Sequence, residues 1–183
     1  MAKGKRAGSK RQEARAGRRR QRWPWLVGIG VAVVVIAGGA YGLWPKSWEK
    51  PGQFVASQGN LHLATADSPH PPYNSDPPTS GPHLQWIAPW GIHTVPIQRE
   101  LQVHNLEDGG VVVQYNCDCP ELQAKLRAIV ERYKDRVVLA PYPTMKSRIA
   151  LTAWTRIDAF EEFDAQRIVR FIEAYRGIDH HAR

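Results

Sequence analysis

Cysteine is scarce: the 183 residues contain two. Thiol chemistry is therefore confined to one pair, Cys117 and Cys119. Several catalytic signatures are missing altogether. There is no Gly-x-Ser-x-Gly, so a serine nucleophile on a sharp strand-to-helix turn is excluded. There is no phosphate-cradling glycine loop, which argues against a nucleotide cofactor, and no His-Glu-x-x-His zinc helix. Internal repeats are absent, which excludes solenoid and propeller architectures. Acidic residues are nearly missing from residues 1–22, where ten Lys and Arg face the single acid Glu13. The formal net charge of +8 comes from that tail, and the rest of the chain is close to neutral. A nucleic-acid-binding reading is thus poor for the folded part.

One stretch is both long and apolar without a charge. Leu26 to Leu43 carries no charged residue, with Trp23, Trp25 and Trp44 at its ends. About 20 apolar residues cross a bilayer, and tryptophan favours the interface. Residues 23–44 therefore read as an uncleaved transmembrane anchor. Residues 1–22 read as a disordered basic tail held in the cytoplasm by the Lys/Arg bias. Residues 45–183 then lie outside, where thiols are oxidised or metal-bound.

Beyond the anchor the chain is proline-rich. Pro45, Pro51, Pro69, Pro71 and Pro72 break regular structure over residues 45–76, a stalk or lead-in. The globular domain is read as 77–177, with a short tail at 178–183. Within it, Thr94-Val95-Pro96-Ile97 reads as a short edge strand, and Leu101-Gln102-Val103-His104 alternates like a half-buried strand. Asp108-Gly109-Gly110 is a turn that would close a hairpin onto Val111-Val112-Val113. Pro120 can start a helix whose apolar positions are Leu122, Leu126, Ile129, Val130 and Tyr133. Val137 to Ala140 and Ile149 to Trp154 read as a second pair of strands. Asp164 can cap a last helix with Ile168, Phe171, Ile172 and Tyr175 inward and Gly177 as its stop. The expected fold is α+β: a small mixed or antiparallel sheet with two helices packed on it.

The chemistry-bearing residues gather between 77 and 120. Pro77-Pro78-Thr79-Ser80-Gly81-Pro82-His83 and His104-Asn105-Leu106-Glu107-Asp108 each present a histidine in a rigid setting. Cys117 and Cys119, two apart in an extended segment, point to one face. Soft thiolates suit copper or zinc, with His83 and His104 completing the ligand shell and Glu107 or Asp108 orienting it. A mutual Cys117–Cys119 disulfide without a working role is the plain alternative, and two rival uses stand beside the metal reading. The same cysteines, ahead of a helix, suit thiol–disulfide exchange. The proline-rich surface suits a non-catalytic module that docks an envelope protein. His180 and His181, beyond the last helix, read as a polar tail.

The 77–83 segment, His104-Asn105-Leu106-Glu107 with Gly109, the valine run, Val138-Leu139-Ala140-Pro141-Tyr142-Pro143 and Ala150-Leu151-Thr152-Ala153-Trp154 together resemble the membrane-anchored bacterial proteins grouped as domain of unknown function 3105. The resemblance covers about residues 67–177. It implies a single-anchor, extracytoplasmic domain with no established activity. Asp108 stands where that family usually has a second histidine, and His93 where it has a tyrosine. The cysteine pair is not part of its signature.

Overall fold

The computed structural model describes residues 50–181. The basic tail and the apolar run at 23–44 lie outside the described residues. Among the described residues, no helix is long and apolar enough to cross a membrane.

The architecture is α+β, built on a six-stranded mixed sheet and three helices. In chain order the elements are β1 (Gln53–Phe54), β2 (His62–Leu63), β3 (His83–Leu84), β4 (Gly91–Ile92), α1 (Arg99–Glu107), β5 (Val111–Tyr115), α2 (Pro120–Val130), β6 (Val137–Pro141), β7 (Ile149–Ala153), β8 (Arg156–Phe160) and α3 (Ala165–Tyr175). The main sheet runs β1-β8-β7-β5-β6-β4, and β2 pairs with β3 in a separate two-stranded ribbon. β5 is the spine. It pairs parallel with β6 on one side and antiparallel with β7 on the other.

Period-two alternation sorts the sheet's side chains onto two faces. Val111, Val113, Tyr115, Leu139, Ile149 and Leu151 face α2 and α3, where Leu126, Ile129, Ile168, Phe171 and Ile172 complete the main core. Val112, Val138 and Ala140 face the other way, against Leu106 of α1 with Ala88 and Ile97. Both helices read from the sequence form and cover one face as expected. Asp164 caps α3 by accepting the Arg167 N–H at 3.0 Å.

Several expectations need correction. The segment around Leu101 to His104 is not a strand but part of α1. Every residue from Gln102 to Glu107 is buried there, polar and apolar alike, so four alternating letters did not mark a half-exposed face. Asp108 to Gly110 therefore joins a helix to a strand and closes no hairpin. Thr94 to Ile97 forms no strand; Val95 is 64% exposed while Ile97 is buried. Strands β6 and β7 are not hairpin partners, because β5 lies between them. The hairpin partner of β7 is β8, reached through Trp154 and Thr155, the latter at φ +59°.

The 50–76 segment lies against the domain. β1 adds to the sheet edge beside β8. The Gln58 N–H donates to Ser80 Oγ at 3.1 Å, and the Tyr73 hydroxyl donates to the Pro82 carbonyl at 2.6 Å. These contacts bring residues 60–63 alongside the 77–83 segment.

Candidate metal centre

The ribbon of β2 and β3 sets the first half of the site. Its parallel register places His62 directly beside His83. The main chain of the Ser80-Gly81-Pro82-His83 turn is tied down by Gly81 N–H to the Gly59 carbonyl and His83 N–H to the Leu61 carbonyl, at 3.0 and 2.9 Å. The turned-back Gly81 carbonyl then accepts from His83 Nδ1 at 2.7 Å. The proline–glycine segment thus orients the His83 ring through its own backbone.

Helix α1 supplies the second half. Asn105 clamps the preceding loop, donating to the Ala88 carbonyl at 2.8 Å and accepting the Ala88 N–H at 2.9 Å. One turn apart on the same helix, His104 and Glu107 reach the ribbon. His104 Nδ1 donates to the Leu84 carbonyl at 2.8 Å. Glu107 is wholly buried, with Oε1 accepting from Asn60 Nδ2 at 2.8 Å and Oε2 lying 2.9 Å from His83 Nε2.

His62, His83, His104 and Glu107 each offer one ligand atom, and these atoms all lie within 4.8 Å of one another. Ligands about 2.0–2.1 Å from a common zinc sit about 3.3 Å apart, so small side-chain movements bring the set to bonding distance. Two of the spacings already bracket that figure: 2.9 Å from His83 Nε2 to Glu107 Oε2, and 3.6 Å from His62 Nε2 to the same oxygen.

The proton inventory points to a cation. A carbonyl only accepts, so Nδ1 of both His83 and His104 carries hydrogen. In the neutral rings Nε2 is then a bare lone pair. For His83 that lone pair faces a carboxyl oxygen, so a proton, on the ring or on the carboxyl, or a metal ion must lie between them. Burial pushes the His83 pKa below its ordinary value, although the Gly81 and Glu107 contacts pull it back toward the charged form. Burial raises the Glu107 pKa, but the Asn60 hydrogen bond and the neighbouring His83 and His181 outweigh it and leave the carboxyl below the ordinary range. A neutral imidazole facing an ionised carboxylate is the protonation state that metal ligation needs.

These shifts set the acid response of the metal-free protein. A carboxyl lower in the fold than in the open chain stabilises at neutral pH, and that share is lost as pH falls through its folded value. His83 has the same sign: its share is present above the ordinary histidine value and fades as pH falls below it. His181 is raised by its hydrogen bond to Asp179 and runs the other way, but it is exposed and screened. With chelator present, the melting temperature should fall as pH drops from 7 to 5, where the His83 share fades, and fall further below about pH 4, where the Glu107 share goes. Thermal unfolding across that range checks this, and a flat profile contradicts it.

The cysteines do not join this site. Cys117 and Cys119 are bonded to each other as a disulfide, so neither sulfur is a thiolate ligand. They also sit at the far end of β5. Glu107 lies just before Val111 and the cysteines just after Tyr115, so the five residues of β5 and the step on to Cys117 separate the two ends by up to about 20 Å. The shared thiolate–imidazole centre expected from sequence therefore does not form, and the case for soft Cu(I) goes with it.

The structure brings His83, His104 and Glu107 together, and Glu107 offers a ligand atom of its own alongside the histidines rather than standing behind them. Asp108 stands at its edge, 3.8 Å from His104 Nε2. Sequence reasoning missed His62, which sits in the segment read as stalk. Its one signal is the Leu61-His62-Leu63 alternation. It also missed His181, whose Nε2 lies 3.5 Å from Glu107 Oε2. Among the aromatics, Trp90 packs beside Leu106 and Trp154 stands edge-on to His83 at 6.2 Å between centroids.

No curated protein and no solved structure matches this chain. Residues 67–182 match the family described as protein of unknown function (DUF3105), a span that takes in His83, His104, Glu107, Asp108 and His181 and stops short of His62. With more than half its length inside that match, the chain belongs to the DUF3105 family.

Proposed function

We propose that this domain binds a divalent transition metal, best zinc, through His62, His83, His104 and Glu107, and is carried on the outer side of a bilayer by residues 23–44. One observation carries the metal reading: the buried imidazoles of His83 and His104 have Nδ1 fixed to backbone carbonyls, and His83 turns Nε2 onto the buried Glu107 carboxylate. That is how protein frameworks hold metal-bound histidines. Three imidazoles and a carboxylate suit zinc, a borderline cation, better than the soft ions that thiolates select. The charge-free run, the basic tail before it and the oxidised cysteine pair support the outward placement.

The test is metal analysis of the full chain after zinc loading and dialysis. Bound zinc should be stoichiometric, and it should persist in a Cys117→Ser/Cys119→Ser variant with affinity within about threefold of the parent, since the sulfurs lie up to about 20 Å away. Metal-free protein at micromolar zinc overturns the reading. Zinc lost on removing the cysteines returns the site to them.

The disulfide supports a second, separate reading as a thiol-exchange centre. Cys119 precedes Pro120 at the start of α2, both cysteines are half-buried, and each opens onto its own cleft. A partner dithiol would be oxidised as this disulfide is reduced. Equilibration in glutathione buffers tests it: a midpoint below about −300 mV places the bond among structural disulfides and removes the idea.

A further inference from the structure

A second group of ligating side chains adjoins the first. His104, Asp108 and His181 also place ligand atoms within 4.8 Å of one another. Asp108 ends α1, and His181 arrives from the segment after α3. That segment is fastened to the turn between α1 and β5. Gly177 N–H donates to the Gly109 carbonyl at 2.7 Å, and His180 N–H donates to the Glu107 carbonyl at 2.8 Å. The approach is close enough that a Cβ on Gly109 would lie 2.7 Å from the Ile178 backbone. The His180 ring stacks on Trp154, 5.9 Å between centroids.

His181 repeats the arrangement seen in the buried pair. Its Nδ1 lies 2.9 Å from Asp179 Oδ1, a contact in which only the ring can donate. Its Nε2 then faces inward, 3.5 Å from Glu107 Oε2 and 3.7 Å from Asp108 Oδ1. Four histidines from four separate segments, His62, His83, His104 and His181, thus turn Nε2 toward one pair of neighbouring carboxylates.

Ligand counting shows what so many donors can hold. His104 has one free nitrogen, because its Nδ1 is committed to Leu84, so it can serve one ion only. The six side chains exceed the needs of a single tetrahedral ion. Glu107 Oε2 is reached from both groups, by His83 and His62 of the first at 2.9 and 3.6 Å and by His181 of the second at 3.5 Å. A carboxylate oxygen has lone pairs enough to face two cations.

We propose that the centre takes two divalent cations: one at His62, His83 and Glu107, the other at Asp108 and His181, with Glu107 facing both and His104 completing one of them. The proposal rests on the metal reading above and adds a second ion to it. Paired cations of this kind sit about 3.5–4 Å apart. Two carboxylates offset part of their mutual repulsion. The outer position is the weaker one, because His181 is 42% exposed and carried by a terminal segment.

Zinc titration of the full chain against a competing chelator, with metal content read by mass spectrometry, tests this. The unmodified chain should take up two equivalents, and Asp108→Asn/His181→Ala should take up one, with the tighter affinity changed less than about fivefold. Both positions are at the surface, so the variant should fold, and its melting curve checks that. His70 faces Glu100 at 3.5 Å and is another histidine–acid pair, so His70→Ala must still bind two. One equivalent in the parent, or two in the double variant, overturns the second position and leaves the first standing. Loss of the second equivalent in His70→Ala also overturns it, since the extra ion is then elsewhere. No zinc at all sinks both readings.

Discussion

Glu107→Gln should weaken zinc binding at least 100-fold and cost the metal-free protein, at neutral pH, the modest share of stability that the ionised carboxyl supplies. The substitution keeps the volume of a side chain that has no exposed surface and keeps an oxygen for Asn60 to donate to. It removes the negative charge at the one atom that His62, His83 and His181 all face. In the metal-free state the new amide N–H can donate to a neutral Nε2 of His83, taking the place of the proton that lies between ring and carboxyl in the parent, so the contact is kept and the fold survives. With metal the same N–H occupies the place the cation needs. The loss should exceed the 10- to 100-fold typical of a residue that only orients a ligand. Melting curves separate the two effects. Zinc at 100 times its Kd should stabilise the parent by about 2.7 kcal/mol, a shift of about 10 °C for a domain of this size, and the variant hardly at all. A variant that binds zinc as tightly as the parent would show that Glu107 is a structural acceptor and that the histidines hold no ion with it.

The parts of this fold that could be read in the sequence are those where burial follows one periodicity. Helices α2 and α3 have one apolar stripe and one wet face, and both were legible. Helix α1 was not, because from Gln102 to its end it is buried on all sides: Leu106 faces apolar partners, while Gln102, Asn105 and Glu107 bond to polar ones. A helix without a wet face shows no stripe, and four of its letters read as a strand. Strand order failed for another reason. Val137 to Ala140 and Ile149 to Ala153 are neighbours in sequence, but β5 enters between them, and no local pattern encodes a third strand. The site was half legible. His83 and His104 stand in stretches dense with Gly, Pro and Asn, which mark constrained backbone. His62 and His181 come from a proline-rich lead-in and a terminal tail, and only the ribbon register and the Gly109–Gly177 contact bring them in. The cysteines misled because spacing reports which face a residue points to, and not which end of the sheet it occupies.

The turn that carries α1 into β5 should tolerate almost nothing, and Gly110→Ala should destabilise the domain by about 3 kcal/mol or more, lowering its melting temperature by about 10 °C. The cause is space. A Cβ at this position would overlap the Asn105 carbonyl oxygen and lie 2.7 Å from the Trp90 ring. The ring can shift. The carbonyl cannot, because it accepts the Gly110 N–H at 2.7 Å and belongs to the residue whose side chain clamps Ala88. Relief therefore has to come from moving the last turn of α1 away from β5. That turn also carries His104, Glu107 and Asp108, so the displacement should reach the metal centre about two residues away, and the surviving folded protein should bind zinc more weakly than the parent. Shrinking the ring tells the two contacts apart: Trp90→Leu combined with Gly110→Ala should recover little of the lost stability, because the carbonyl clash remains. Recovery to near the level of Trp90→Leu alone would mean that the ring was the obstacle, and that the end of α1 is not held against β5 as tightly as the Asn105–Gly110 bond implies.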